Sequence, residues 1–304
     1  MPNHLKGIIY ASITALFWGF LAIAVKVGTQ EFNVVNIVWF RFTFAFGALF
    51  VYFLITDRSK LKILIHPPLL LLIAALGLAL NYYGFTSGIL YTSPTTAQIV
   101  IQLGPISLGL VGFLFFKEKI NKRQMLGFGV ALLGLTFFYL NQLSNIMDSD
   151  IEVLNKGFIW VVIAAMAWLT YASLQKILVK SYDSQMLNLV IFGLPALLYT
   201  PFVSFGDFQG IGINNWLLLI FLGANTIIAY GSLALAFKYT DVNKVSVIIT
   251  LNPIITFILM SILFQLNVTW IETQRMDLLT WSGALMVITG AIMVVYFKSK
   301  GKAL

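Results

Sequence analysis

Four polar side chains stand beside two prolines in a chain otherwise dominated by apolar residues. Gln98 and Gln102 are four apart, so on a helix they share one face, and Pro105 follows three residues further along that face. Thr250 and Asn252 precede Pro253 in a second segment of the same character. Amides and hydroxyls of this kind donate and accept hydrogen bonds, which suits reversible recognition of a polar solute. Inside a membrane such groups are expensive and turn to the interior of a helix bundle. There they either line a pathway and bond a substrate, or bond neighbouring helices as packing glue. Each proline removes a backbone hydrogen bond and frees a carbonyl. Pro105 and Pro253 are read as hinges that let one half rock against the other, the alternative being static kinks set for packing.

Aromatic residues supply candidate walls. Trp18 and Trp168 lie mid-span, not at the lipid–water interface where aromatic belts form. They either wall a cavity, stacking on apolar or cationic cargo, or fill the core. Tyr171, three residues after Trp168, joins the same wall. Asn81, Tyr82 and Tyr83 sit mid-span in one segment, and Asn225 and Tyr230 sit near the corresponding place in another. A free tyrosine hydroxyl suits an amphipathic cargo, or else bonds a neighbouring helix. Trp39, Trp160, Trp216 and Trp281 read as interface anchors. Arg41 stands about a turn and a half inside its span and is expected to snorkel to the headgroups or pair with Glu31. Lys26 is expected to anchor the outer end of the first span, or to attract anionic cargo there.

Several chemistries are excluded. The chain has no Cys, which removes disulfides, thiolate nucleophiles and Cys-ligated metals. His4 and His66 lie outside the apolar spans, and every Asp and Glu falls in a loop or at a helix end, Glu118 being nearest a span. No catalytic residue, metal or cofactor is therefore expected. A membrane enzyme acting on lipid-linked substrates would need an acid/base pair, nucleophile or metal cluster at the membrane face. A channel would need a repeated selectivity motif or a charge ring. Neither pattern is present in the sequence. A proton-coupled pump of cationic cargo wants a carboxylate near the midplane, so facilitated transport or exchange is expected instead.

These residues must be positioned by membrane spans. The 304 residues are 60% hydrophobic and 10% charged, with a mean hydropathy of +0.92, against about 25% charge in soluble domains. About 20 apolar residues cross the hydrocarbon core. Spans are read at about 6–26, 35–55, 68–90, 95–116, 123–141, 157–178, 185–204, 214–237, 242–265 and 278–297. The first run begins near Leu5 and lacks a small-residue cleavage site, so it reads as a span and not a signal peptide. With the N-terminus inside, 15 of the 19 Lys and Arg fall on the inner side and Lys26, Lys156 and Arg275 on the outer. The inner set includes Lys117, Lys119, Lys298, Lys300 and Lys302. The net charge of +8 is thus a topology signal and not a nucleic-acid footprint. Both termini are expected on the cytoplasmic side of the cell (inner) membrane. The polar, acidic stretch Asn141–Asn155, with Asp148, Asp150 and Glu152, and the outer stretches carrying Asp207, Glu272 and Asp277 fall outside.

The chain also repeats itself. Lys6 to Lys26 aligns with Lys156 to Lys176 without a gap at an offset of 150, pairing Lys6/Lys156, Gly7/Gly157, Trp18/Trp168 and Lys26/Lys176. Tyr82, Tyr91, Thr92 and Pro105 match Tyr230, Tyr239, Thr240 and Pro253 at 148, and Gly127 and Gly134 match Gly283 and Gly290 at 156. Five spans per half is odd, so the second half enters the membrane inverted, an arrangement found in transporters with the binding site at the seam. The expected fold is therefore all-α and integral to the membrane, with ten transmembrane helices as two inverted five-helix repeats. The expected division is 1–141, an outer linker 142–155, and 156–304.

This pattern resembles the drug/metabolite transporter superfamily, specifically bacterial EamA-type permeases. The resemblance rests on the Gly-led opening helices with Trp18 and Trp168, the early Arg41, and the segments Ile89-Leu90-Tyr91-Thr92 and Ala236-Phe237-Lys238-Tyr239-Thr240. Pro105, Pro253 and Lys117-Glu118-Lys119-Ile120 complete it; in the second half Gln265-Leu266-Asn267 stands where a Glu would match Glu118. The resemblance implies ten helices and a central substrate pathway without naming a cargo. The expected function is a permease or exporter of small polar or amphipathic metabolites such as amino acids, working by alternating access. Its partners are a small-molecule substrate and the lipid bilayer. One chain already completes a pathway, so a monomer suffices, and the Gly-rich fifth and tenth spans offer a supporting or dimer face.

Overall fold

The computed structural model describes residues 2–116, 122–144, 151–240, 242–271 and 278–296. The sequence readings on Lys117-Glu118-Lys119-Ile120, on Asp148, Asp150, Glu272, Arg275 and Asp277, and on Lys298, Lys300 and Lys302 lie outside the described residues. The described chain runs α1 (Asn3–Glu31), α2 (Val34–Thr56), α3 (Leu69–Tyr91), α4 (Pro94–Val100), α5 (Leu103–Phe116) and α6 (Lys122–Ser144). It continues with α7 (Ile151–Leu178), α8 (Ser184–Tyr199), α9 (Ile213–Tyr239), α10 (Val242–Ile249), α11 (Asn252–Gln265) and α12 (Leu278–Tyr296). Short 3-10 turns follow α2 and α8. Among the described residues, α1, α2, α3, α7, α9 and Ser184–Phe202 are long and apolar enough to cross a membrane, with shorter apolar helices at Asn252–Gln265 and Leu278–Met293. This is an all-α membrane protein.

Local sequence sets the helix starts. Asn33 caps α2 by accepting from Asn36 N–H, and Asp183 caps α8 by accepting from the N–H groups of Gln185 and Met186. Ser93 caps α4 by accepting from Thr96 N–H, with Pro94 in the first turn, where a missing N–H costs nothing. Helix α6 reaches Ser144 and α7 begins at Ile151, so helix covers both ends of the stretch read as a linker.

Two spans read as continuous are interrupted. The stretch 95–116 is split between α4 and α5 at Ile101 and Gln102, and 242–265 between α10 and α11 at Thr250 and Leu251. The interruptions fall just before the prolines, not at them. Pro105 lies in the first turn of α5 and Pro253 in that of α11, the helical positions that tolerate proline. The chain crosses each gap on tight i to i−3 bonds: Gln102 N–H to Ile99 O (3.2 Å), Gly104 N–H to Ile101 O (2.9 Å) and Leu251 N–H to Ile248 O (3.1 Å). The Ile101 carbonyl that Pro105 would leave free is thus taken by Gly104.

The helix pairings come in duplicate. Helix α1 lies along α9 and α3 along α7; α2 packs on α9 and α3 on α8; α1 meets α11 and α7 meets α5. Helices α2 with α8 and α6 with α12 pair across the middle. Small residues permit the closest approaches. A Cβ on Gly77 would stand 2.9 Å from Ala167 O, and one on Gly134 2.7 Å from Val287 N.

The ends of α3 and α9 are held by matching devices. Lys26 Nζ donates to the carbonyls of Ile89, Leu90 and Thr92 at 3.3, 3.3 and 3.0 Å. Lys176 Nζ donates to those of Phe237 and Thr240 at 3.0 and 3.1 Å. Terminal carbonyls lack intrahelical donors and carry the negative end of the helix dipole, so an ammonium suits them twice over. Lys26, expected as a lipid anchor, is therefore a helix cap. Lys156 Nζ lies 4.4 Å from the Tyr91 ring centroid and Lys6 Nζ 5.7 Å from that of Tyr239. Gly157 fits against Thr92, and Gly7 against Thr240. The start of α1 and the end of α7 thus meet the end of α9, while the end of α1 and the start of α7 meet the end of α3. Helices α1 and α7 run antiparallel.

Candidate functional site

The antiparallel α1 and α7 bring their tryptophans together. Trp18 and Trp168 meet edge to face at 6.1 Å between ring centroids, and Trp18 lies 5.3 Å from Tyr230. Tyr230 is 5.5 Å from Tyr82 and 5.6 Å from Tyr171. In front of these rings opens a cavity of about 50 Å³, set in about 550 Å³ of space between atoms that includes open solvent. Trp18, Trp168, Tyr82, Tyr230, Asn81, Gln98, Gln102, Asn252 and Pro105 line it, with Arg41 and the apolar Leu21, Phe85, Ile101 and Ile249. Of the other candidates, Tyr171 stands beside Tyr230 outside this lining, and Thr250 and Pro253 are buried at the α10–α11 interruption.

The amides serve two ends at once. Gln98 Nε2 donates to Trp18 O at 2.8 Å, and Gln102 Nε2 donates to Gln98 O and Asn252 Oδ1, both at 3.1 Å. Because Trp18 O and Gln98 O can only accept, they fix which end of each side chain is nitrogen. The two Oε1 atoms then remain buried with no partner. A buried acceptor left unpaired costs about 1–3 kcal/mol. The nitrogens are the glue expected of packing residues, while the oxygens are free for something else. Asn81 Nδ2 donates to Ala164 O at 2.9 Å and its Oδ1 accepts from Tyr230 O–H at 3.3 Å, fixing α3 to α7 and α9.

Arg41 departs from the sequence expectation. It does not reach the headgroups or Glu31: its residue is 1% exposed, and Glu31 instead accepts from Asn215 Nδ2 at 3.3 Å. Its guanidinium carbon sits 4.1 Å from the Tyr82 ring centroid, and Nε donates to Thr226 Oγ1 at 3.3 Å. Tyr82 O–H donates to the same oxygen at 3.2 Å, and Thr226 O–H donates to Leu222 O at 3.0 Å. Among the described residues no carboxylate lies within ion-pair reach of it. A desolvated cation–π contact returns about 2 kcal/mol, whereas burying an ion costs several. The helix turns Arg41 inward because α3 and α9 offer it a ring and a hydroxyl that lipid cannot. Sequence reasoning left it out of the site. The available signal was a charge well inside the span whose i±4 neighbours, Ile37 and Ala45, offer no counter-ion.

A model of the EamA-like transporter family matches over residues 5–140 and 155–296. The chain belongs to the EamA-like transporter family. An uncharacterized transporter of Haemophilus influenzae is 31% identical over 292 residues, covering 95% of this chain and 94% of that protein. The uncharacterized inner membrane transporter YhbE of Escherichia coli K12 is 31% identical over 291 residues, covering 94% and 90%. A crystal structure covering 98% of this chain and all of its own aligns with a TM-score of 0.70 at 17% identity, a likeness of fold alone. This EamA-like chain is a multi-pass membrane transporter, and its family points to transport and not to enzymatic turnover.

Proposed function

We propose that this EamA-like transporter moves a small polar or amphipathic organic metabolite, of the amino-acid size class, across the inner membrane by alternating access. The single observation behind this reading is the cavity at the seam. Its aromatic walls come from corresponding positions of both halves, and its floor carries buried amide oxygens with no partner. Ten spans in two inverted repeats, 1–141 and 156–304 joined by 142–155, with both termini cytoplasmic, accommodate every described helix once α4 with α5 and α10 with α11 each count as one span. The duplicated helix-end devices and the antiparallel α1 and α7 support that reading. Interrupted helices at a central site are what alternating access uses in other transporters. The gaps before Pro105 and Pro253 are the natural hinges.

The test is thermal stabilisation of the purified protein against amino acids, nucleosides, sugars, polyamines and cationic dyes, followed by uptake of any hit into proteoliposomes. Ligands that bind the folded state raise its melting temperature by mass action. A hit lost in Gln102→Ala and in Trp168→Ala, with saturable uptake in the wild type, supports the seam site. A hit indifferent to both changes moves the site elsewhere. Because the named carboxylates lie at helix ends and loops, uptake should persist when the proton gradient is collapsed at constant voltage; its loss would contradict facilitated transport or exchange.

A further inference from the structure

We infer that Arg41 is the anion anchor of the central cavity, and that the cavity's ligand is an organic carboxylate carrying a hydrogen-bond donor for Gln98 and Gln102. The inference rests on the carrier reading for its setting and adds Arg41 to the amide oxygens that reading already uses. Arg41 lines the cavity, is 1% exposed and meets no carboxylate among the described residues. Among the described residues its side-chain hydrogen bonds go to Thr226, through Nε–H, and to the Tyr82 side chain, both neutral groups. Thr226 Oγ1 is already shared with Tyr82 and spends its proton on Leu222 O, so it cannot supply the missing charge. The site holds a permanent cation without an anion, which is the state a carboxylate ligand completes. A guanidinium fork fits a carboxylate with two parallel bonds, an arrangement a lone ammonium cannot match.

The rest of the lining narrows the ligand. Gln98 Oε1 and Gln102 Oε1 are buried acceptors with no partner, so they call for an N–H or O–H on the ligand. No described carboxylate lines the cavity to balance a ligand that is only a cation. Trp18, Trp168 and Tyr230 add flat apolar surface to the same lining. A monoanion with a donor group and a compact apolar body satisfies each of these, and it leaves the loaded cavity without net charge. A neutral cavity is cheaper to carry through low dielectric than one holding a bare cation.

The experiment uses the full chain in detergent, in chloride-free buffer, with lactate, 3-phenyllactate, phenylacetate, phenylacetamide and phenethylammonium as probes. The carboxylates should raise the melting temperature, the hydroxy acids most, and the amide and the cation should not. Arg41→Gln should weaken carboxylate binding by about tenfold or more and Arg41→Lys by less, since it keeps the charge but not the fork. Arg58→Gln, at an exposed arginine beyond α2, should change nothing. If Arg41→Gln does not yield a monodisperse, helical protein, Arg41→Lys and Gln98→Leu carry the test, the latter selectively weakening the hydroxy acids against phenylacetate. Equal stabilisation by amide and carboxylate, absence of any carboxylate effect, or undiminished carboxylate binding in folded Arg41→Gln each overturns the inference. Chloride acting as strongly as the carboxylates, through Arg41, assigns an inorganic ion and overturns it too. Proteoliposome uptake separates the two readings: Arg41-dependent binding without uptake leaves the anion site and removes the carrier, while saturable uptake of a neutral or cationic solute indifferent to Arg41 does the reverse.

Discussion

Helices α2 and α8 begin alike and then diverge. Their caps, Asn33 and Asp183, are 150 residues apart, and each accepts from a backbone N–H three residues on. At the same offset Arg41 corresponds to Ile191, and both are buried, at 1% and 0% exposure. The same separation of scaffold from chemistry runs through the seam. Trp18/Trp168, Tyr82/Tyr230 and Pro105/Pro253 are kept in both halves, whereas Asn81, Gln98 and Gln102 face Ala229, Ser246 and Thr250 at the offset of 148. The duplicated residues build walls, turns and helix ends. The unduplicated ones carry charge and hydrogen-bonding capacity. On the proposed reading, a ligand with two unlike ends needs that asymmetry, because a symmetric lining would present the same group to both ends.

The largest effect should come from exchanging the unlike pair. Ile191→Arg places a cation where no cavity receives it, at a cost of about 3–5 kcal/mol, and the folded protein should be lost from size-exclusion chromatography. Arg41→Leu, which makes the halves alike, should by contrast hold or raise the melting temperature, since an apolar side chain replaces an uncompensated buried charge. A sharp loss of stability in Arg41→Leu would mean that the Tyr82 and Thr226 contacts satisfy Arg41 on their own.

The matched helix ends offer the next test. Alanine at Gly157 would collide with Thr92 Cγ2, and alanine at Gly7 would stand 2.6 Å from Thr240 Cβ and 2.7 Å from its Cγ2. Each should cost about 1–3 kcal/mol by overpacking. Thr92→Ser removes the offending methyl while keeping the hydroxyl bond to Gly88 O (2.6 Å), so it should restore most of the loss at Gly157. Thr240→Ser should restore less at Gly7, because the Cβ contact remains. Equal rescue at both ends would show that the two junctions relax identically.

Replacing the capping lysines probes the same ends more gently. Lys26→Met and Lys176→Met each remove charge-assisted bonds to terminal carbonyls, and each should lower stability by about 1–2 kcal/mol. Similar losses support one device used twice. A loss confined to one end would mean that the other lysine is supported by solvent.

The all-α membrane character was legible because it rests on many residues acting together, apolar runs of about 20 recurring along the chain. What stayed hidden depended on one residue's direction. Helix α2 is apolar on every side, with Phe40, Phe42, Phe44 and Phe46 around Arg41, so no polar stripe tells which way it faces. Only the neighbours Tyr82 and Thr226, remote in sequence, decide that. The positions of the helix interruptions were missed for a related reason. Proline marks where a helix can start as readily as where it bends, and the difference lies in the i to i−3 turns upstream. Lys26 looked like a lipid anchor because its acceptors lie 63 to 66 residues away.

The smallest effect should appear at the caps themselves, where only one of the pair can titrate. Asp183 loses some ease of ionisation to partial burial, but the Met186 N–H, the Lys60 ammonium at 3.4 Å and the Gln185 N–H together hold its carboxyl below the ordinary 3.8. A depressed carboxyl stabilises the fold at pH above its unfolded value and loses that contribution as pH falls through the folded one. Asp57, held low by Ser59, titrates in the same range, so the informative quantity is the difference between wild type and Asp183→Asn. Near neutral pH the two should differ by less than about 1 kcal/mol, because asparagine caps as well and a surface ion pair is worth little. As pH falls below about 4 that difference should begin to shrink, and it should be gone once the pH is below the folded carboxyl's own lower value. Asn33→Asp gives α2 the same titration only if a cation stands near it; its recorded partner is Asp207, 3.0 Å from Asn33 Nδ2, so the new carboxylate should instead meet a like charge and destabilise the α2 end at neutral pH, with relief on acidification. Melting curves of both variants across pH 3 to 7 check the two opposite signs.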